Sequence, residues 1–277
     1  MANSPPAGDV PAPWTVIRTE WFLNKALRFG RLAWRLPCLI LHVLIGIPLT
    51  LLTFLPGLRQ LPIAGMRLHQ FSHQWWSRIM LRVFGIRLVC RGHLPRGAHL
   101  VVANHISWMD IVLLHALWPM WLVAKAEIRH WPMVGVLAAL AGTLFIERGS
   151  EESRRKVSRR MTALLKRGER VGIFPEAGIS AAAGVGRFHA RLFAPAIRAG
   201  VPVVPVAIRY FRAGDGDLHD VVVFGPGKNF FTNVFALLME PPCEGQLMIG
   251  SALRGEAGSR SDLARRARDI VTNYYES

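Results

Sequence analysis

The sequence predicts an α/β fold: a central, largely parallel or mixed sheet flanked by helices, preceded by an N-terminal membrane-embedded helical module. Three observations carry that expectation. From Gly85 onward, short β-rich runs alternate with helical patterns, as in sheets covered by helices. Ahead of them, Leu36 to Leu58 gives 23 consecutive residues without Asp, Glu, Lys or Arg. The chain as a whole is 51% apolar and 19% charged, with a mean hydropathy of +0.27. That balance excludes disorder over most of the length.

The 277 residues suffice for one good-sized domain and a small accessory element. Thirty-four basic residues stand against 18 acidic ones, a formal net charge of +16. Such a surface attracts phosphate, whether on nucleic acid, anionic lipid headgroups or an acidic carrier. Cys38, Cys90 and Cys243 are odd in number and far apart, with no C-x-x-C pair. A cysteine zinc cluster and a disulfide framework are both disfavoured, which suits a reducing compartment.

Residues 1–13 carry four prolines and read as a disordered tail. Residues 14–84 form the membrane-associated module. Within it, Trp14–Arg35 and Leu68–Phe84 mix aromatic and basic residues, as interfacial amphipathic helices do, although ordinary core-facing helices fit equally well. The Leu36–Leu58 run is long enough for a bilayer core of about 20 helical residues, and a buried core helix is the alternative. Pro48 and Pro56 favour a kinked span or a re-entrant hairpin. Lys25, Arg28, Arg31 and Arg35 crowd the N-terminal flank, which by the positive-inside rule puts the N-terminus in the cytoplasm.

Residues 85–277 form the second unit, with the motif core at 98–212. Expected strands are Ile86–Cys90, Ala98–Ala103, Met120–Val123, Thr143–Ile146, Val171–Phe174, Val203–Ile208, Val221–Phe224 and Gln246–Ile249. Expected helices fall near Met109–Leu117, Met133–Ala141, Ser150–Arg167, Arg191–Arg198 and Ser261–Tyr274. Ser150 followed by Glu151 and Glu152 is a helix start with acids at the positive end of the dipole. Val157, Met161, Leu164 and Leu165 face inward from it. Arg154, Arg155, Arg159 and Arg160 form a basic outer face, either simply solvated or a dock for an anionic donor.

The chemistry concentrates in VVANHISWMD, residues 101–110. His105 follows a buried strand, at the end where open α/β sheets place ligands. Asp110 lies in the first turns of the next helix, close enough to reach back to the imidazole. A general base needs this pairing: one ring nitrogen meets the substrate proton while a carboxylate on the other fixes the tautomer. Alone, the spacing is a weak signal, because ten histidines offer many chance matches.

N-H-I-S-W-M-D resembles the first motif of the glycerolipid acyltransferase family, the 1-acyl-sn-glycerol-3-phosphate (PlsC-like) type. Four further elements follow in the family's order. AKAEI at Ala124–Ile128, with Pro132 and Gly135, resembles A-K-x-E-L-x-x-x-P-x-x-G. GTLFIER at Gly142–Arg148 is similar to the second motif, G-x-x-F-I-x-R. FPE at Phe174–Glu176 opens the third, F-P-E-G-T-R, and VPVVPV at Val201–Val206 resembles the fourth. The apolar N-terminal module is also typical of that family.

The resemblance implies transfer of a fatty acyl group from a thioester donor, acyl-CoA or acyl carrier protein, to the free hydroxyl of a lysophospholipid. The first acceptor it suggests is 1-acyl-sn-glycerol 3-phosphate, which would give phosphatidic acid. His105 would be the base and Asp110 its orienting partner. Arg148 would hold the acceptor's phosphate, Glu176 would bond the glycerol portion or shape the loop, and Val203 and Pro205 would line the acyl region. Lys125 would be a further anionic-group contact or a snorkelling surface lysine. No cofactor is implied beyond the co-substrate, no metal, and no nucleic acid. The partners are a membrane lipid, the thioester donor and an anionic membrane surface, and the catalytic domain would face the cytoplasm. Direct attack on the thioester needs no acyl-enzyme, and the sequence has no G-x-S-x-G elbow and no Walker loop; GPGK at Gly225–Lys228 reads as a turn.

One departure stands out. After Phe174-Pro175-Glu176 the chain reads Ala177, Gly178, Ile179, so the family's Arg is missing, and His189 and Arg191 replace the Lys and Gly of F-K-x-G. Arg187 or Arg191 could compensate. Otherwise the acceptor is another lyso-lipid, such as a lyso-ornithine lipid. A non-catalytic basic membrane or nucleic-acid-binding protein is the alternative from a different class, and it rests on charge alone.

Overall fold

A computed structural model describes residues 13–130, 134–140, 142–147, 149–176, 178, 184–212, 221–224, 229–255 and 260–277, without the side chains of 13–23, 134, 137 and 140. Of the expected tail at 1–13, residues 1–12 lie outside these residues, as does the expected turn at Gly225–Lys228, while Pro13 begins the first helix.

The chain opens with α1 (Pro13–Leu52). Turns over 53–61 and a minimal hairpin, β1 (Pro62–Ile63) and β2 (Met66–Arg67), lead to α2 (Leu68–Phe84). Then follow β3 (Ile86–Arg91), β4 (Leu100–Ala103), α3 (Met109–Leu117), β5 (Trp121–Lys125), α4 (Val134–Leu140), β6 (Leu144–Ile146), α5 (Glu151–Lys166) and β7 (Val171–Ile173). A 3₁₀ turn at Ala190–Phe193 precedes α6 (Ala194–Ala199), β8 (Val203–Arg212), α7 (Phe230–Met239), β9 (Cys243–Ile249) and α8 (Arg260–Glu276). The large sheet has the order β3-β9-β8-β4-β7-β5-β6. Strands β8, β4, β7, β5 and β6 run parallel to one another, and β9 pairs antiparallel with β8, so the sheet is mixed.

Two cores cover the two faces of this sheet. Alternation along β8 divides it: Val204, Val206, Ile208 and Tyr210 face the core shared with α2, α3 and α7, while Val203 and Ala207 face the core under α5, α6 and α8. The start of α5 follows the sequence reading. Ser150 Oγ accepts from Ser153 N at 3.0 Å, and Val157, Met161, Leu164 and Leu165 are its buried residues.

The N-terminal helices differ from expectation. The amphipathic segment and the apolar run are one continuous helix, which passes through Pro37 and Pro48. Each proline removes a backbone hydrogen bond without ending the helix. The first 17 residues of the run, 36–52, are thus helical, and its last six lie in the turns that follow. The chain reverses over 53–61, and α2 returns antiparallel along α1: Ser72 Oγ bonds Thr50 Oγ1 at 3.4 Å, the Trp76 ring stacks on His42, and Gly85 meets Arg35. Gly85 is required twice, by its φ of 72° at the C-terminal cap of α2 and by the Arg35 guanidinium lying where a Cβ would be. Asn24–Leu52 is long and apolar enough to cross a membrane. Only 11% of its most apolar window is buried within the chain, unlike a core helix, which is mostly buried.

The basic flank of that helix has an internal use. Arg31 donates to Met239 O at 3.2 Å, and Arg35 to Leu238 O at 3.2 Å and Glu240 O at 2.8 Å. Arg28 pairs with Glu240 at 3.1 Å. Three arginines thus satisfy the carboxyl end of α7, where a helix exposes unpaired carbonyls and partial negative charge. They are not a free marker of membrane orientation.

One expected strand is not formed, and one helix was not expected. Val221–Phe224 is not a strand: Phe224 N donates to Ile106 O at 2.8 Å, Asn233 Nδ2 donates to Val221 O at 3.0 Å, and Val222 is fully buried. The segment is packed over the His105 loop without joining the ladder. Helix α7, absent from the sequence reading, is a short apolar helix with Phe231 and Phe235 exposed.

Candidate active site

The parallel strands β8, β4, β7, β5 and β6 all end at one edge of the sheet, and the loop from Asn104 to Trp108 leaves that edge. Asn104 anchors it. Its side chain continues the ladder after β4 stops, donating to Ile208 O at 3.0 Å and accepting from Ile208 N at 2.7 Å. Trp108 anchors the other end, with Nε1 donating to Asn233 Oδ1 of α7 at 2.8 Å.

Between these anchors the loop wraps around one carboxylate. Asp110 is fully buried. Its Oδ2 accepts from Ile106 N at 2.8 Å, Ser107 N at 2.9 Å and His105 Nδ1 at 2.9 Å, and its Oδ1 accepts from the Tyr210 hydroxyl at 2.9 Å. Four donors offset the cost of burying the charge. Burial, and then the Asp110 carboxylate, push the Tyr210 phenol well above its ordinary pKa, so it stays a donor.

His105 is fixed on three sides. Asp110 takes Nδ1, the Phe174 ring stacks on the imidazole with centroids 4.0 Å apart, and Glu176 Oε1 accepts from the His105 backbone N–H at 3.0 Å. With the proton held on Nδ1, Nε2 carries the free lone pair. The side chain keeps 16% exposure. The arrangement can remove a proton from a neutral donor such as a hydroxyl.

The comparisons with known proteins agree with this chemistry. Residues 73–209 match the family described as Acyltransferase. A lyso-ornithine lipid O-acyltransferase of Pseudomonas aeruginosa is 37% identical over 204 residues, 74% of this chain and 78% of the relative. The chain belongs to the acyltransferase family. A 1-acyl-sn-glycerol-3-phosphate acyltransferase of Neisseria gonorrhoeae is 44% identical to this acyltransferase over 117 residues, 42% of this chain and 46% of that protein. The crystal structure of the 1-acyl-sn-glycerophosphate acyltransferase PlsC from Thermotoga maritima superposes with a TM-score of 0.65. It covers 91% of this chain and 96% of its own at 20% identity, a likeness of fold.

The site residues expected from the sequence fall into four groups. His105, Asp110 and Glu176 come together. Both Glu176 oxygens accept from backbone, Oε1 from His105 N and Oε2 from Gly186 N at 2.8 Å, so this carboxylate braces two loops. Lys125 is exposed at the end of β5, in register with Ile146 of β6, on the same sheet edge as His105. Arg148, two positions past β6, and Ile179 lie outside the described residues.

Val203 and Pro205 are buried in β8. Val203 is fully buried against Leu100 and Val102 on the α5–α8 side. Pro205 faces that side too, against Gly250 close to Ile270. Tyr210, which holds Asp110, lies on the opposite face of β8. Both residues are packing positions, as expected in the middle of a strand covered on two sides.

Tyr210, Phe174 and Asn233 gained no role from the sequence. Tyr210 left a readable trace: positions 204, 206, 208 and 210 share one buried face, and only the last carries a polar atom. A buried phenol needs a partner. Nothing in the sequence said that the partner would lie 100 positions upstream.

Proposed function

We propose that this acyltransferase moves a fatty acyl group from a thioester donor, acyl-CoA or acyl carrier protein, to the free hydroxyl of a lyso-lipid. The single observation that carries the reading is the His105–Asp110 pair, with its free Nε2 at the strand-end edge. His105 Nε2 takes the hydroxyl proton as the oxygen attacks the thioester carbonyl. The tetrahedral intermediate expels the thiolate, and the imidazolium returns the proton to it. Asp110 and Tyr210 position the ring, and Arg148 and Lys125 contact the acceptor's head.

An acceptor without a phosphate monoester, a lyso-ornithine lipid, is the leading candidate. Two observations favour it over lysophosphatidic acid, which the sequence had suggested first. Ile179 stands where the family pattern has Arg, and the relative covered over 78% of its length is named for lyso-ornithine lipid. Lysophosphatidic acid is the second reading, supported by the relative that is 44% identical over 117 residues. A panel of both acceptors with purified protein and labelled palmitoyl-CoA separates them. His105→Ala should abolish transfer to either without unfolding the protein. Full turnover by that variant would remove the mechanism.

The exposed faces of α1 and α7 would lie in the bilayer, with the catalytic edge toward the cytoplasm where thioesters are made. Apolar insertion is not screened by salt, so the protein should stay with membranes through a high-salt wash. Release by salt alone would reduce the association to electrostatics. Protease access to the catalytic domain only from outside would overturn the orientation.

A further inference from the structure

A second site opens on the far side of the third-motif loop. It is a cleft of about 490 Å³ between the 187–191 segment and α8. Arg187, His189, Arg191, Arg260, Arg265 and Arg268 line it, and no acidic side chain does. Phe188 and Ala264, both buried, form part of its floor. Five guanidinium groups around one concavity repel one another unless an anion joins them. Two are held in place from within: Arg268 donates to Val185 O at 2.8 Å and Gly186 O at 2.9 Å, and Arg265 pairs with Asp262 at 2.5 Å and Asp269 at 3.5 Å. Arg187, Arg191 and Arg260 are exposed, and the charge of Arg191 reaches Glu151 at the start of α5.

The cleft is coupled to the dyad through one residue, Gly186. Arg268 holds the carbonyl of Gly186, and Glu176 holds its N–H while also holding the His105 backbone. The phosphate of a lysophosphatidic acid lies only a few bonds from the hydroxyl that reacts, so its site must adjoin His105 Nε2. His105, Asp110 and Glu176 do not line the cleft, which reaches them only through Gly186. A coenzyme A thioester carries its phosphates a whole pantetheine arm from the reacting carbonyl, and it carries several. Guanidinium forks suit phosphate oxygens. A concavity suits a nucleotide better than the convex acidic helix of a carrier protein.

Resting on the acyl-transfer reading above, we propose that this arginine cleft binds the phosphates of the nucleotide end of a coenzyme A donor. The outer face of α5 is a poorer candidate, because Glu151 already pairs with Arg154 and Arg155 there.

The test uses the full chain and a triple variant, Arg187→Ala, Arg191→Ala and Arg260→Ala, all exposed positions. Adenosine 3′,5′-bisphosphate should bind the wild type in calorimetry and should bind the variant about tenfold or more weakly. KM for palmitoyl-CoA should rise about tenfold or more, while KM for palmitoyl-N-acetylcysteamine, which has no phosphate, moves by less than about twofold. No binding of the bisphosphate by the wild type would overturn the proposal. So would equal losses with both donors, which would mean a structural defect, or a rise confined to the acceptor KM, which would assign the cleft to the lipid. Bisphosphate binding without turnover on any acceptor would leave the cleft standing and remove the acyl-transfer reading instead.

Discussion

Helix α3 has a buried histidine site near each end, and the two are opposites. His105, just before the helix, has a carboxylate on one ring nitrogen, a stacked phenyl ring and an opening at the other nitrogen. His115, in the last turn, is 2% exposed, and neither ring nitrogen has a hydrogen-bond partner among the described residues. It meets the His73 ring of α2 edge-on, with centroids 4.2 Å apart. Burial, and then His73, lower the His115 pKa well below its ordinary value. Burial, with a smaller push from His69, lowers His73 to about 4. Burial alone makes a silent imidazole; a partner and an opening make a base.

The largest effects should come from turning the first site into the second. Asp110→Asn places an amide N–H₂ among four donors, so at least one is left without an acceptor and the tautomer lock is lost. Turnover should fall roughly 10²- to 10⁴-fold, the range of a general-base contribution. Tyr210→Phe removes one of the four bonds and should cost about tenfold in kcat with little change in acceptor KM. His115→Leu should leave kcat near the wild-type value. A Tyr210→Phe enzyme with unchanged kcat would reduce that bond to packing, and an inactive but folded His115→Leu enzyme would break the contrast.

The two sites were unequally legible. His105 and Asp110 are five positions apart, and a local spacing with a known partner type can be read from the chain. His73 and His115 are 42 positions apart, and no sequence signal says that their rings meet. The same division holds across the fold. Helix α5 announced itself through its Ser150 cap and its apolar stripe, which are local properties. The Val221–Phe224 run had the composition of a strand, but its pairing was decided by Ile106 and Asn233. The arginines at 28, 31 and 35 looked like a membrane-orientation signal because the carboxyl end of α7, about 200 residues away, is invisible from the N-terminus.

The silent pair makes a stability prediction. A histidine kept neutral in the folded state has a lowered pKa, so the unfolded chain binds more protons between about pH 6.5 and pH 4. Its contribution to stability is therefore complete above pH 6.5 and is lost as pH falls toward 4. For His73 the loss should be about 1.4 kcal/mol per pH unit within that window, and His115 acts in the same direction. The melting temperature should drop between pH 7.5 and 5.5, and His73→Phe with His115→Leu should flatten that drop. An equal drop in the double variant would assign the pH sensitivity to other groups.

The smallest expected effect concerns what reaches the free nitrogen of His105. An Arg–phosphate contact contributes roughly 1.5–3 kcal/mol. Where the family pattern supplies one Arg after E-G-T, this chain has Ile179, which leaves Arg148 as the principal anchor for an acceptor's phosphate. Arg148→Ala should therefore raise KM for phosphate-bearing acceptors more than for palmitoyl-CoA. The reverse change, Ala177→Gly, Gly178→Thr and Ile179→Arg together, should shift kcat/KM toward lysophosphatidic acid relative to a lyso-ornithine lipid by about tenfold. The shift should appear in the acceptor KM, since the dyad is untouched and proton transfer is unaltered. If Arg187 or Arg191 already served the acceptor, the ratio would not move in this triple variant, and it would collapse when those two residues were removed. An unchanged ratio in both would show that the missing Arg does not set acceptor choice, and that discrimination lies on the lipid side of the reacting hydroxyl.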